Sequence, residues 1–249
     1  MPERTETPCL RLSMWSGPRN ISTALMYSFR QRADTRVFDE PLYGHYLHTS
    51  DARHPGEDEV LSVMETDGER VVREVLLGPC DTPVLFFKNM AHHLAGLNPD
   101  FLAEVTNLLL TRDPEEMLLS LVNQLPQPVL RDTGLEEQVG VLNAVLEQGE
   151  TPIVLDAKEV LLNPEGVLRE VCKRLGLPFE AAMLRWPAGP KPEDGVWAKY
   201  WYDNVHASTS FAPYRPKDEP FPERLQPLLD ACLPLYERLV AYAIRADAR

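Results

Sequence analysis

The stretch RLSMWSGPRNIST, residues 11–23, decides the fold of this chain. Its first five residues form an apolar-rich run that stops at Ser16-Gly17-Pro18, a typical turn signal. Apolar side chains then recur at Ile21, Leu25 and Phe29, which is the spacing of one face of a helix. The stretch therefore predicts a strand, a loop and a helix, in that order.

Further strands and helices alternate along the rest of the chain. Short apolar runs predict strands at residues 37–38, 83–88, 106–111 and 151–156. Helical patterns cover residues 21–32, 68–77, 163–176 and 225–244, and another follows Pro114 as far as Asn123. The alternation predicts an α/β fold, a three-layer sandwich with a central parallel sheet and helices on both faces. No internal repeat or long linker interrupts it, so residues 1–249 are expected to form a single domain.

Composition excludes several classes of function. Acidic residues number 38 against 25 basic ones, for a net charge of -13, and no basic cluster stands out. Binding to nucleic acid or to an anionic membrane needs a basic face, so neither partner is expected. No apolar run reaches the length of a membrane span, and the first ten residues lack the pattern of a secretion signal, so a cytoplasmic location is predicted.

The four cysteines give no sign of a metal centre or a disulfide framework. Cys9, Cys80, Cys172 and Cys232 lie far apart with no paired spacing. They are expected to be buried or unreactive thiols, and no metal site is predicted.

The first loop has the groups of an anion site. Backbone N–H groups at a helix start, the hydroxyls of Ser22 and Thr23 and the Arg19 guanidinium together suit a phosphate or sulfate group. The loop is not the GxxxxGK[ST] motif of nucleotide triphosphatases, because it lacks the second Gly and the Lys. From this loop alone, an ordinary capped helix start remains the alternative.

A second motif makes the pattern more specific. Arg112-Asp113-Pro114 ends a buried strand, and Ser120 follows Arg112 by eight residues. Together with Pro18-Arg19-Asn20-Ile21-Ser22-Thr23, it resembles the family of sulfotransferases that use 3′-phosphoadenosine 5′-phosphosulfate (PAPS). That family has a P-[KR]-[SN]-G-[ST]-[ST] loop after its first strand and a later R-D-P motif with a Ser at this spacing. Residues 155–179 are also similar to its late helix and the segment before that helix.

The resemblance implies a fold related to the P-loop nucleotide triphosphatases and a role for each motif. The loop would hold the 5′-phosphosulfate of PAPS, the co-substrate, without a metal, and the second motif would hold the 3′-phosphate. The donor site would then consist of Arg19, Asn20, Ile21, Ser22, Thr23, Arg112 and Ser120. Ile21 stands where the family usually has Gly, so the loop is expected to turn without a residue that tolerates a positive φ.

Sulfuryl transfer also needs a base for the acceptor and fixed positive charge near the reacting group. The family's K-x-H motif reads Lys88-Asn89-Met90 here, so its usual histidine is missing. Branches with Arg in the loop use a Glu after the second strand, and Phe38-Asp39-Glu40-Pro41 resembles that segment, which makes Glu40 the candidate base. Asp39 is the competing carboxylate.

Three more side chains lie at the end of the third strand or just after it. His92 and His93 are second choices for the base, and the catalytic set is taken as Glu40, Arg19, Lys88 and His93. Lys88 either contacts the sulfuryl group or acceptor, or forms a salt bridge with Glu40 or Asp39.

The segment GVWAKYWYDNVHASTSF, residues 195–211, is rich in aromatic side chains. It lies where the family has a loop that closes over the nucleotide. Trp197, Lys199, Tyr200 and Trp201 are candidates to stack on adenine or to line the acceptor pocket, and packing in the core is the alternative.

The predicted function is sulfuryl transfer from PAPS to a hydroxyl or amine of a small-molecule acceptor. Two alternatives stay open: a phosphotransferase of the nucleotide-kinase kind, and a nucleotide-binding module without catalysis. The sequence does not decide between a monomer and a homodimer, and it does not name the acceptor.

Overall fold

A computed structural model describes residues 9–246 and places five parallel strands in one sheet. The strands are β1 (Leu10–Ser16), β2 (Thr35–Asp39), β3 (Val84–Met90), β4 (Thr106–Thr111) and β5 (Ile153–Asp156). Their spatial order is β2-β3-β1-β4-β5, so β1 lies at the centre of the sheet. The predicted central parallel sheet is confirmed.

The helices connect successive strands and cover both faces of the sheet. Their bounds are α1 Ser22–Arg30, α2 Tyr43–Thr49, α3 Glu57–Val63, α4 Gly68–Val71, α5 Pro114–Leu121, α6 Leu130–Thr133, α7 Leu135–Glu147, α8 Ala157–Leu162, α9 Pro164–Arg174, α10 Ala198–Trp201, α11 Asp203–His206 and α12 Gln226–Val240. A π-helical turn, Val72–Leu76, continues α4. Short 3-10 turns are Ala91–Leu94, Pro99–Glu104, Ala181–Leu184 and Glu223–Leu225.

Alternate side chains of each strand enter two separate hydrophobic clusters, one on each face of the sheet. On β1, Met14 packs into the cluster that includes α1 and α9, whereas Trp15 packs into the cluster that includes α7 and α12. Both side chains are fully buried. A strand buried on both faces needs apolar residues at nearly every position, which explains the continuous apolar runs of the sequence.

The register of the strands brings the polar residues to one edge. β1 pairs with β3 so that Ser16 lies opposite Met90, and β2 pairs with β3 so that Asp39 lies opposite Lys88. Because all the strands are parallel, the segments that follow them meet at the carboxyl edge of the sheet.

The cysteine prediction is partly wrong. Cys9 and Cys80 form a disulfide, because parallel pairing of β1 and β3 brings the segments that precede these strands together. They are 71 residues apart in sequence, so their spacing carried no signal. Cys172 and Cys232 are free and buried, as expected.

Among the helices of residues 9–246, none has the length and apolar character that crossing a membrane requires.

Candidate functional site

A cavity of about 400 Å³ opens at the carboxyl edge of the sheet. Each residue assigned above to the donor site or to catalysis lines it: Arg19, Asn20, Ile21, Ser22, Thr23, Glu40, Lys88, His93, Arg112 and Ser120. The fold therefore brings all the predicted site residues together, although they are spread over residues 19–120 of the sequence.

The loop between β1 and α1 turns at Arg19. Arg19 has a φ of 51°, in the left-handed region, whereas Ile21 has a φ of -92° and caps α1. As expected, the loop turns without glycine, and its left-handed position falls on Arg19, two residues before Ile21. A left-handed conformation is strained for a residue other than glycine and persists only where surrounding contacts hold it.

Asn20 provides part of that support. Its Oδ1 accepts a hydrogen bond from the Ile21 N–H at 2.9 Å, and its Nδ2 donates to the Leu110 carbonyl of β4 at 3.1 Å. The first helical hydrogen bond of α1 runs from Leu25 N–H to Ile21 O. The N–H groups just before Leu25 belong to the first turn of the helix, where N–H groups have no intrahelical acceptors, and residues Ser22, Thr23 and Ala24 line the cavity.

The two motifs contact each other directly. Arg19 Nε donates to Ser120 Oγ at 3.1 Å, and Arg112 Nη1 donates to the Arg19 carbonyl at 2.8 Å. Burial and the nearby Arg112 both lower the pKa of Arg19 below its ordinary value. The two guanidinium groups repel each other electrostatically. An anion placed between them would stabilise both charges.

Glu116 already contacts one of these cations. Its Oε2 lies 3.1 Å from Arg112 Nη2, and its Oε1 accepts a hydrogen bond from Tyr214 at 2.5 Å. The carboxylate thus neutralises part of the Arg112 charge and is itself held by Tyr214.

A buried ionic cluster lies at the ends of β2 and β3. Lys88 Nζ donates to Asp39 Oδ1 at 2.9 Å, to Glu40 Oε1 at 2.5 Å and to the Tyr202 hydroxyl at 2.5 Å. Asp39 also accepts from the Tyr202 hydroxyl and, at 3.1 Å, from the Gly195 N–H. Lys88 therefore makes the salt bridges considered from the sequence, and it also lines the cavity.

Burial and charge oppose each other in this cluster. Burial alone would lower the pKa of Lys88, but the Asp39 and Glu40 carboxylates outweigh burial and raise that pKa well above its ordinary value. Burial raises the pKa of Glu40, and Asp39 adds to the rise while Lys88 opposes it. Lys88 is therefore the group that allows Glu40 to ionise inside the protein.

The two neighbouring histidines are buried and uncharged. Burial, reinforced by the nearby His92, lowers the pKa of His93 well below its usual range, and burial lowers the pKa of His92 to about 3. His93 Nε2 lies 4.0 Å from Glu40 Oε2, and neither ring nitrogen of His93 has a hydrogen-bond partner within residues 9–246.

The sequence profile of the family described as "Sulfotransferase domain" matches residues 10–243. This chain belongs to the sulfotransferase family. The match spans nearly the whole described chain, from β1 to the residues after α12.

Two solved sulfotransferase structures share the fold. The sulfotransferase domain from the curacin biosynthetic pathway is 13% identical with a TM-score of 0.52, and the match covers 91% of this chain and 98% of that one. The sulfotransferase from Alicyclobacillus acidocaldarius is 16% identical with a TM-score of 0.52, and the match covers 93% of this chain and 94% of that one.

Sequence relatives with higher identity carry a different name. Branched-chain-amino-acid aminotransferase-like proteins 2 and 1 of Arabidopsis thaliana are 41% and 42% identical over 226 residues. The match covers 90% of this chain and 40% of each relative, so the chain spans less than half of their length.

The aromatic segment, residues 195–211, divides between the cavity and the surface. Trp197 and Trp201 line the cavity. The other two candidates do not: Lys199 pairs with Glu59 at 2.5 Å in an exposed contact, and Tyr200 is 45% exposed. In a helix of one turn, neighbouring side chains point in different directions, so the four positions cannot share one wall.

The sequence does not point to Tyr202, Tyr43 or His54 as cavity residues. Tyr202 belongs to the aromatic segment, and its hydroxyl contacts both Lys88 and Asp39. Tyr43 and His54 also line the cavity and are hydrogen-bonded to each other at 2.8 Å. His54 lies in a polar stretch without any motif, so only the fold reveals its place.

No group of three or more His, Cys, Asp or Glu side chains in residues 9–246 is arranged to hold a metal ion.

Proposed function

We propose that this chain is a PAPS-dependent sulfotransferase that acts on a small-molecule acceptor. The observation that carries the proposal is the direct contact between the two donor motifs, Arg19 with Ser120 and Arg112 with the Arg19 carbonyl, in a cavity that also contains Glu40. A phosphosulfate and a 3′-phosphate need two cationic sites on one nucleotide. Arg19 and Arg112 supply these sites at one edge of the sheet.

The groups around the loop fit an anionic donor. Arg19 and Arg112 provide charge, the first turn of α1 provides amide N–H groups, and Ser22 and Thr23 add hydroxyls at the cavity wall. A P-loop phosphotransferase that uses Mg²⁺ would ordinarily have a Lys directly before the first loop hydroxyl, where this chain has Ile21 before Ser22. We therefore favour sulfuryl transfer over the kinase alternative.

Glu40 is the proposed base. The acceptor oxygen or nitrogen forms a bond to sulfur while the bond from sulfur to the phosphate oxygen breaks, and the acceptor proton passes to Glu40. The product 3′-phosphoadenosine 5′-phosphate (PAP) leaves with the bonding electrons, and Arg19 stabilises the charge that builds up on it. Both oxygens of Asp39 accept hydrogen bonds from Tyr202, so Asp39 is less available than Glu40.

His93 is proposed as a second contact for the acceptor. Its ring is neutral, has no hydrogen-bond partner among residues 9–246, lines the cavity and lies on the Oε2 side of Glu40. A neutral imidazole there can accept or donate a hydrogen bond, which suits positioning of a hydroxyl or amine.

An acceptor screen tests the proposal. The protein is incubated with PAPS and pools of small hydroxyl and amine compounds, and both PAP and the sulfated products are measured by mass spectrometry. We expect turnover that falls at least about a hundredfold in Glu40→Gln, as for loss of a general base. Glu165→Gln, an exposed change on α9, is the matched control and should retain full activity. PAP binding without any transfer would support the nucleotide-binding module instead, and full activity of Glu40→Gln would move the base to His92, His93 or Asp39.

A further inference from the structure

The part of the cavity around Glu40 is walled by aromatic rings. We call this part the acceptor end, and it is made of Glu40, Tyr43, His54, His93, Trp197 and Trp201. Tyr43 lies at its centre: its ring centroid is 5.0 Å from that of His93, with the two rings stacked, 5.1 Å from that of Trp197 and 5.7 Å from that of His54. His54 in turn lies 6.1 Å from Trp201. The rings therefore form one continuous wall.

Charge is divided unevenly along the cavity. Of the residues that line it within the described chain, Arg19, Glu40, Lys88 and Arg112 are the ones with formal charge. Arg19 and Arg112 belong to the donor motifs. Next to the acceptor end, the Lys88 ammonium is already shared between the Asp39 and Glu40 carboxylates, at 2.9 and 2.5 Å. Two carboxylates against one ammonium leave this end with one excess negative charge.

The histidines do not change this balance. His54 and His93 both have a pKa lowered by burial, so both rings are uncharged at neutral pH. The acceptor end therefore offers rings and an excess carboxylate, and the cation beside it, Lys88, is already paired with two carboxylates.

We infer that the acceptor is a small molecule with a flat ring that carries no negative charge. This inference rests on the proposed function and deepens it. An anionic acceptor would lie beside both the excess carboxylate and the negatively charged donor, with no counter-charge at the acceptor end. A planar ring matches the aromatic wall, and an ammonium group on that ring gains attraction from both the rings and the carboxylates.

Three phenols with the same ring and hydroxyl test the inference. Tyramine carries an ammonium group at neutral pH, 4-ethylphenol is neutral, and 3-(4-hydroxyphenyl)propionate carries a carboxylate. Their binding to the wild-type protein saturated with PAP is measured by calorimetry, so the readout does not depend on turnover. We expect tyramine and 4-ethylphenol to bind at least about tenfold more tightly than the propionate, a difference of about 1.4 kcal/mol.

Equal or tighter binding of the propionate overturns the inference, and so does the absence of binding by all three phenols. In both cases the PAP-saturated protein shows that the donor site is intact, so the proposed function survives. Failure of the wild type to bind PAP is a separate result, which removes the proposed function and this inference together.

A charge insertion provides a gain-of-function test. His54→Lys places a cation at the acceptor end, so it should narrow or reverse the preference for tyramine over the propionate. His48→Lys adds the same charge at an exposed position of α2 and should leave the preference unchanged. Equal effects of the two variants would mean that charge at the acceptor end does not select the acceptor.

The ring wall has its own test in two neighbouring residues of α10. Trp201→Leu removes a ring of the acceptor end and should weaken binding of all three phenols. Tyr200→Leu removes a ring at the surface and should leave the binding of the three phenols unchanged. Unchanged binding by Trp201→Leu would contradict the proposed contact between ring and acceptor.

Discussion

Glu40 and Lys88 are joined twice, once through the backbone and once through their side chains. The Glu40 N–H donates to the Lys88 carbonyl at 2.7 Å, and the Lys88 ammonium donates to Glu40 Oε1 at 2.5 Å. Glu40 has a φ of 45°, a strained value for this residue type. The two bonds hold this conformation and point the carboxylate into the cavity, where the proposed chemistry needs it.

Removal of Lys88 should destabilise the protein strongly. Lys88→Met leaves Asp39 and Glu40 buried without their counter-charge, and loss of one partner of a buried ion pair costs about 3–5 kcal/mol. Urea denaturation measures the loss. Lys199→Met, which breaks the exposed pair with Glu59, should cost much less, because solvent screens that pair. Similar losses in the two variants would contradict the importance of the buried cluster.

Glu40 should set the acid limb of the pH–rate profile. Burial raises its pKa above the ordinary value of 4.5, so the base becomes ionised, and kcat/KM rises, only as the pH passes this raised pKa. The profile is measured with any acceptor found in the screen. In Glu40→Gln the remaining activity should lose this limb. A limb that persists unchanged would assign it to another group.

His92 should make the free energy of unfolding depend on pH in the acidic range. Its folded pKa is about 3 and its ordinary pKa is 6.5, so the unfolded state binds more protons between these values. The stability that comes from keeping His92 neutral is fully present above pH 6.5 and is lost as the pH falls towards 3. His92→Gln should reduce the slope of stability against pH in this window by up to about 1.4 kcal/mol per unit. The exposed His48→Gln should leave the slope as it is, and equal slopes for all three proteins would refute the assignment.

Arg112 should recognise the 3′-phosphate. Arg112→Ala removes a charged hydrogen-bond donor, so PAP binding should weaken by about 2 kcal/mol or more, while AMP, which lacks the 3′-phosphate, should bind as before. Calorimetric titration measures both ligands. Arg169→Ala, an exposed change on α9, is the control. If PAP binding and AMP binding weakened equally, Arg112 would contact a part of the nucleotide other than the 3′-phosphate.

Glu116 should act as an internal competitor of the 3′-phosphate. Its carboxylate contacts the same guanidinium, at 3.1 Å from Arg112 Nη2. Glu116→Gln should therefore tighten PAP binding several-fold with little change for AMP. Glu115→Gln removes the same charge from an exposed position of α5 and is the control for the change in net charge. Weaker PAP binding in Glu116→Gln alone would mean that Glu116 positions Arg112 for the phosphate.

The fold and the donor motifs could be predicted because they depend on local patterns. Apolar runs gave the strands, and the spacing of Arg112 and Ser120 follows from one strand and one helix. The ionic cluster was only partly predictable: Lys88, Asp39 and Glu40 end neighbouring strands, but Tyr202 reaches them from more than a hundred residues later. His54 and the Cys9–Cys80 pair had no local signal either, because only the packing of distant segments brings them to their places.

The most direct test of the central claim is calorimetric titration of the metal-free protein with PAP, set beside ATP with Mg²⁺. The account predicts PAP binding at micromolar or lower concentration and little binding of ATP. Binding of ATP with Mg²⁺ but not of PAP would contradict it and would favour the phosphotransferase alternative.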